Sequence, residues 1–327
     1  MTTNPFTNEV VHQMRNLYPE ELADRAWDNV GLLLENSKLP EGPDRNRVLL
    51  TNDLTPDVVE EAISYQVSII VSYHPIIFRG LKSITLKDTQ QASLLRLMQN
   101  NIAVYCPHTA LDAGIDGIND WLASCVGTAC RDLGSNGSET TVVKSVKDAQ
   151  PPAYRQCDSE GRELDVGYGR ITSLNRAVPA AEFIKQMVRS MGLSMSHVLV
   201  ARPRTPKHKH NNQSRITDIG VCAGSGFDIF RGKMDKIDML ITGEVSHHDA
   251  LHATTNGVWV VCLLHSNSER RFLSARLQKQ LTRALKERTD LQDFAVLVSE
   301  KDRDPFEFWD LDNPPVKEKS TGSAFSA

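Results

Sequence analysis

This 327-residue chain contains four apolar, strand-like runs, and each run is followed by a histidine within a few residues of its end. In an open α/β sheet, ligands collect outside the carboxyl ends of the strands. Imidazole and carboxylate groups at such an edge are suitable ligands for a divalent metal ion. The pattern therefore predicts a metal site at one edge of the fold. The runs and their histidines are 67–71 with His74, 102–105 with His108, 238–241 with His247 and His248, and 258–261 with His265.

Two of these histidines have an acid four residues later, His108 with Asp112 and His265 with Glu269. Each acid also fits a helix-capping box, in which a Ser or Thr and an acid three residues later satisfy free backbone N–H groups. For any one of these acids taken alone, the sequence is compatible with either helix capping or metal binding. The repetition of histidine and acid in successive turns favours metal binding, and the absence of cysteine from the set favours Zn, Fe or Mn. The three boxes are Thr109-x-x-Asp112, Ser246-x-x-Asp249 and Ser266-x-x-Glu269.

His247 and His248 are adjacent at a predicted helix start, so we expect only one of them to face the site. A carboxylate in the set can bridge two ions roughly 3.5–4 Å apart, the arrangement used in hydrolytic displacement. The free N–H groups at helix N-termini on the same edge would favour an anionic substrate.

Helices and strands alternate along the chain, which predicts an α/β fold with a largely parallel sheet. We predict helices over 10–22, 57–65 and 89–100, one ending at Met191, and strands over 47–52, 166–173 and 193–201. We expect two similar α/β domains, the first formed by 1–125 and 260–310 and the second by 126–259. The Pro-, Ser- and Lys-rich tail 311–327 is predicted to be disordered.

Composition is that of an ordinary globular protein, with 40% hydrophobic and 24% charged residues. A net charge of −4 gives no electrostatic reason to expect a nucleic-acid or membrane partner. The basic stretch 202–210 lacks interleaved aromatics and is interpreted as a solvated loop. Six scattered cysteines without a CxxC pair indicate free thiols in a reducing compartment. No secretory signal is recognisable, so the cytoplasm is the expected compartment, with the nucleus as the alternative.

The chain resembles the NIF-three-like family, also known as type 2 GTP cyclohydrolase I, from about residue 27 to residue 305. Four motifs occur in the order found in that family, and the Ser-Tyr-His-Pro form of the first is similar to the eukaryotic branch. The motifs are Ser72-Tyr73-His74-Pro75, Pro107-His108-Thr109-Ala110-Leu111-Asp112, Thr242-Gly243-Glu244-Val245-Ser246-His247-His248-Asp249 and His265-Ser266-Asn267-Ser268-Glu269-Arg270.

The resemblance implies two similar α/β domains with a dinuclear divalent-metal site in the cleft between them. It also implies a homo-oligomer, because bacterial members typically form hexameric rings. The ligands that it implies are His74, Asp112, His265 and Glu269, with Glu269 as the bridge and His108 as a further ligand or a neighbouring group.

Tyr73 departs from the bacterial pattern, in which two histidines usually precede the proline. A neutral phenol with a pKa near 10 is a poor metal ligand at neutral pH. The second metal position is therefore expected to be empty, weak or completed by water, and the chain is expected to bind one or two ions.

Three functions fit these observations. The first is a metal-dependent hydrolase for a nucleotide-like or phosphorylated small molecule, with His108 or His248 as general acid or base. The second is a non-enzymatic regulatory protein that interacts with a transcriptional adaptor, the association from which the family takes its name. The third is a metal chaperone or store. The sequence specifies neither guanine nor any other substrate.

Overall fold

A computed structural model describes residues 2–38, 46–146, 157, 160–204, 215–288, 291 and 293–309. The helices are α1 Pro5–Leu17, α2 Pro56–Ser64, α3 Thr89–Gln99, α4 His108–Ala113, α5 Ile118–Asp132, α6 Ala180–Ser190, α7 Phe227–Phe230, α8 His247–Thr255, α9 Arg270–Phe272 and α10 Gln278–Lys286. The strands are β1 Gly31–Leu34, β2 Arg47–Thr51, β3 Ile69–Ser72, β4 Ala103–Cys106, β5 Ser138–Ser145, β6 Gly167–Pro179, β7 Leu199–Ala201, β8 Arg215–Cys222, β9 Met239–Thr242, β10 Trp259–Cys262 and β11 Ala295–Val298.

The first sheet has five strands in the order β1-β4-β3-β2-β11. β4, β3, β2 and β11 are parallel, and β1 runs antiparallel to β4. Val48 and Leu50 of β2 pack into one core cluster while Leu49 packs into another. Because successive strand residues point to opposite faces, burial of both faces explains the unbroken apolar run. The parallel arrangement expected from the sequence holds for most of this sheet.

The second sheet has six strands in the order β5-β6-β8-β9-β10-β7. Only the β8–β9 and β9–β10 pairs are parallel, so the prediction of a largely parallel sheet is wrong here. β10 belongs to this sheet, and the predicted domain boundary between residues 259 and 260 cuts it. β11, near the C-terminal end of the described residues, pairs with β2 of the first sheet.

One large hydrophobic cluster joins the two sheets and the helices that lie against them. It contains Val48 of the first sheet, Ile219 of the second, Val10 of α1, Trp121 of α5 and Leu281 of α10. Such close packing fixes the strand ends relative to one another. The loops that follow these strands are therefore held on a rigid frame.

The predicted loop 202–210 falls largely, and the predicted disordered tail entirely, outside the described residues. Among the described residues, no helix is long and apolar enough to cross a membrane. The six cysteines are free thiols, with Cys106 and Cys222 buried and Cys262 half-buried.

Candidate metal centre

His74, His265 and Glu269 form a compact group, with one donor atom of each lying within 4.8 Å of the others. His74 Nε2 is 3.7 Å from Glu269 Oε2, and His265 Nε2 is 3.3 Å from Glu269 Oε1. The two histidines follow β3 and β10, and Glu269 lies four residues beyond His265. Glu269 is only 1% exposed, whereas both imidazoles are partly open to solvent. The structure thus brings together three of the five ligands predicted from the sequence.

The two histidines of the group and the neighbouring His108 each have a carboxylate within hydrogen-bonding distance of Nδ1. Such a partner fixes the tautomer and the ring orientation of a metal-binding histidine and leaves Nε2 as the ligand atom. The Nδ1-to-carboxylate pairs are His74 with Asp53 at 2.8 Å, His108 with Asp28 at 2.6 Å, and His265 with Glu244 at 3.0 Å.

His108 lies next to the three-residue group without belonging to it. Its ring centroid is 5.4 Å from that of His74. Its backbone has a φ of +28°, which is rare for a residue other than glycine and costs energy. Asp28 accepts from Thr109 as well as pairing with His108. Because burial is outweighed by these hydrogen bonds, the pKa of Asp28 is lowered and the carboxylate stays charged.

Asp112 is close to the group but is engaged by Tyr73. The Tyr73 hydroxyl donates to Asp112 Oδ1 at 2.6 Å. Burial raises the pKa of Asp112 to about 6. Burial and the nearby Asp112 charge raise the pKa of Tyr73 well above its ordinary value, so the phenol keeps its proton. Tyr73 therefore serves as a hydrogen-bond donor to a predicted ligand.

Both histidines of the group favour their protonated form when no metal is bound. The hydrogen bond to Glu269 is the main cause that raises the pKa of His265 to about 9. For His74, burial opposes the charge, but the hydrogen bond to Asp53 and the charge of Glu269 outweigh it and raise the pKa. Protons thus compensate the buried Glu269 carboxylate, and a cation bound among the same atoms would replace them.

Glu269 is held in place by Asn52, which follows β2. The Asn52 side-chain amide donates to Glu269 Oε2 at 3.0 Å, and the Asn52 backbone N–H donates to Asp302 at 2.7 Å. Asn52 Oδ1 is buried and has no hydrogen-bond partner. An unsatisfied buried oxygen is costly, and a nearby cation would offset that cost. A divalent ion therefore suits the residues present.

Two of the three capping boxes predicted from the sequence do not form. Ser266 donates to Asp304, and the Thr109 hydroxyl donates to Asp28, which leaves the two acids of these boxes free for other contacts. Ser246 does cap α8 by accepting from the Asp249 N–H at 3.2 Å. Asp249 therefore belongs to the cap of α8, whereas Asp112 contacts Tyr73 and Glu269 contacts His74 and His265.

The pair His247 and His248 lies in the first turn of α8 and is exposed. The two rings contact each other, with centroids 5.4 Å apart. Neither lines the cavity that contains the three-residue group. His248, a candidate acid or base from the sequence, is therefore not brought to the group.

A cavity of about 520 Å³ opens over the group. Its walls include residues that follow β3 and β4 of the first sheet and β8 and β10 of the second, together with Trp27 before β1 and Lys144 of β5. The lining residues include His108, Asp112, Tyr73, Phe78 and the segment 222–226. The space is of the size that small-molecule sites occupy.

Comparison with known proteins identifies the family to which this sequence is similar. The family model described as Duf34/NIF3 (NGG1p interacting factor 3) matches residues 6–305. The chain belongs to this family. The NIF3 homolog of Schizosaccharomyces pombe is 39% identical over 93% of this chain and 99% of its own length. NGG1-interacting factor 3 of Saccharomyces cerevisiae is 34% identical over 93% and 97%. These relatives place the chain in the eukaryotic branch of the NIF3 family.

Solved structures show that the fold is shared with bacterial proteins. A Bacillus cereus protein related to NIF3 has a TM-score of 0.68 at 21% identity, over 92% of this chain and 98% of its own. A Staphylococcus aureus hypothetical protein has a TM-score of 0.68 at 23% identity, over 94% and 99%.

The NIF3 motifs do not identify the acids that orient the three cavity histidines. Asp53 follows a predicted strand and Glu244 lies within the third motif, whereas Asp28 lies in none of the four motifs; the sequence pattern assigns a role to none of these three acids. The available signal was an acid at a strand end or in a loop of the same edge. Nothing in the spacing connects Asp28 with His108, which are 80 residues apart.

Proposed function

We propose that His74, His265 and Glu269 hold a divalent ion (Zn, Fe or Mn) and that the protein is a metal-dependent hydrolase. The substrate would be a nucleotide-like or phosphorylated small molecule. The observation that carries this proposal is the three-donor group, in which both histidines present Nε2 and carry a carboxylate on Nδ1. Two imidazoles and one carboxylate facing an open cavity are typical of catalytic sites, which keep a position free for substrate.

A bound ion would act as a Lewis acid and lower the pKa of a nearby water. The other roles belong to side chains of the cavity wall. His108 is a better candidate for proton transfer than His248, because it lines the cavity. Asp28 holds Nδ1 of His108, so Nε2 is the atom that would accept or release a proton.

A second ion would need Asp112 and His108, the remaining ligands predicted from the sequence. The Tyr73 hydroxyl donates to Asp112, and burial raises the pKa of that carboxyl to about 6, so it holds a proton more strongly than an exposed acid does. A ligand that carries a proton, or is already engaged by a donor, binds a cation more weakly. We therefore propose one firmly bound ion per chain and a weaker second position.

The first experiment is elemental analysis of gently purified, untagged protein. We expect close to one ion per chain in the wild type and severe loss in Glu269→Gln and His265→Ala. His248→Ala and His12→Ala are matched controls, because both histidines are exposed and neither lines the cavity. Unchanged metal content in both ligand variants would refute the proposed metal site. Hydrolysis of a panel of nucleotides and sugar phosphates, with and without metal, then tests the enzyme.

A second candidate function is supported by the name of the Saccharomyces cerevisiae relative, NGG1-interacting factor 3. In this alternative the chain is a regulatory protein that interacts with a transcriptional adaptor. Saturable binding of the adaptor that persists in Glu269→Gln would support it. Loss of that binding together with the metal would instead make the metal centre part of the interaction.

A further inference from the structure

Two large aromatic side chains lie at the rim of the cavity. Trp27 is 51% exposed and Phe78 is 46% exposed. Their ring centroids are 5.9 Å apart with the planes inclined by 46°, and both residues line the cavity. Exposing neighbouring aromatic rings to water is unfavourable unless they contact a ligand or partner.

The two aromatics are connected to the proposed metal ligands by a row of rings. The centroid of Trp27 is 5.7 Å from that of His108, and His108 is 5.4 Å from His74. His74 in turn is 5.3 Å from His265. A ligand that contacts Trp27 and extends along this row therefore reaches the donor group.

The cavity offers limited means to hold an anionic group apart from a metal. Lys144 lines the wall and is half exposed, with Asp24 3.8 Å from its ammonium nitrogen. The glycine-containing loop after β8 is not a phosphate cradle, because most of its N–H groups already have partners. Ala223 N donates to Asn119, Gly224 N to Ser268 and Gly226 N to Thr242.

We propose that the substrate carries a planar heteroaromatic ring, as a nucleotide does, and that this ring stacks on Trp27 while the inclined ring of Phe78 contacts its edge. Its phosphate then lies towards His74, His265 and Glu269. This placement of the phosphate rests on the proposed function, whereas the stacking depends only on the two aromatics. Between the two substrate classes above, the rim favours the nucleotide-like one, because a base presents a planar π face to the rings and a sugar phosphate does not.

The test compares ligands that differ only in the ring. The full chain, after incubation with Zn or Mn, is titrated by calorimetry with the ribonucleoside 5′-monophosphates and with ribose 5-phosphate. Because stacking of a base on an aromatic side chain strengthens binding markedly, we expect at least one nucleotide to bind about tenfold more tightly than ribose 5-phosphate, or more. Equal affinities, or no binding of any nucleotide, would overturn the inference.

Variants of the two aromatic residues then test whether the rim causes the ring preference, which is the tighter binding of a nucleotide than of ribose 5-phosphate. Trp27→Ala should abolish this preference, Phe78→Ala should reduce it, and Trp27→Phe should keep most of it. Trp309→Ala is the control, because Trp309 is 56% exposed but does not line the cavity. A ring preference that persists in Trp27→Ala would overturn the assignment.

Metal content measured on the same samples separates the two proposals. A wild type that binds no metal but shows a Trp27-dependent ring preference refutes the metal site and supports the stacking. A wild type and a Trp27→Ala variant that both bind metal, without any ring preference, refute the stacking and leave the metal site intact.

Discussion

The Nδ1 partner of each cavity histidine determines which nitrogen is free to bind a ligand. Asp53 does this for His74 across a distance of 2.8 Å, and its own pKa is lowered because the hydrogen bond and charge of His74 outweigh burial. The acid thus remains ionised and increases the basicity of the imidazole. Such a carboxylate contributes to metal affinity without touching the ion.

Asp53→Asn tests this contribution. We expect metal affinity to fall by about 10–100-fold, the usual effect of removing an outer carboxylate partner of a ligand histidine. Competition with a chromophoric chelator measures the dissociation constant. Asp57→Asn is the matched control, because Asp57 is exposed in the first turn of α2 and should leave affinity unchanged. Equal constants for wild type and Asp53→Asn would refute the role of Asp53.

Tyr73→His tests whether Tyr73 weakens the proposed second metal position. The change removes the hydroxyl that donates to Asp112 and adds an imidazole, so we expect more metal per chain. Tyr73→Phe removes the same hydroxyl without adding a ligand, so it releases Asp112 alone, and we expect a smaller gain in metal than in Tyr73→His. Elemental analysis of both variants after reloading with Zn or Mn gives the stoichiometry. An unchanged stoichiometry and affinity in Tyr73→His would show that Tyr73 does not limit the second position.

Elements with buried apolar residues could be predicted from the sequence. The runs that became β3, β4, β9 and β10 were placed to within two residues, because burial on both faces makes them continuously apolar. β5 was missed, since most of its side chains are exposed and it stands out only by pairing with β6. Strand pairing depends on contacts between distant parts of the chain. The carboxylate partners of the histidines could not be predicted for the same reason, because they too are distant in the sequence.

The turn after β8 brings the backbone very close to the donor group. Gly224 has a φ of +62°, and a Cβ atom built there would lie 2.7 Å from Glu269 Oε1 and 3.0 Å from His265 Nε2. The turn therefore requires glycine both for its backbone conformation and for space. Leu264, next to His265, also has a positive φ of 71°, which places backbone strain beside a proposed ligand.

Gly224→Ala is expected to displace the Glu269 carboxylate and to weaken metal binding strongly, with a folded chain. Circular dichroism checks the fold, and chelator competition measures the affinity. Gly232→Ala is the control, because a Cβ at Gly232 meets no atom within 4 Å. Wild-type affinity in a folded Gly224→Ala variant would contradict the close approach.

The whole chain is needed to assemble the centre. His74 follows a strand of the first sheet and His265 follows a strand of the second. The C-terminal segment makes hydrogen bonds to residues next to both. Asp302 accepts from the Asn52 backbone, and Asp304 accepts from Ser266. Because these groups meet only in the folded state, an ion bound at the proposed centre would stabilise folding by mass action.

The pH dependence of that stabilisation follows from His265. Its pKa in the folded, metal-free protein is about 9, above the ordinary value near 6.5. Without metal, the contribution of protonated His265 to stability is fully present below the ordinary value and is lost as pH rises through about 9. Metal binding must expel this proton, so the affinity for metal rises over the same range.

We therefore expect the rise in melting temperature caused by added Zn or Mn to be larger at pH 8 than at pH 6.5, while the metal-free protein loses stability over that interval. Thermal unfolding with metal and with chelator, at each pH, measures both curves. His248→Ala should reproduce the divergence of the curves, and His265→Ala should abolish it. A metal-dependent shift that is the same at both pH values would mean that His265 does not exchange its proton for the ion.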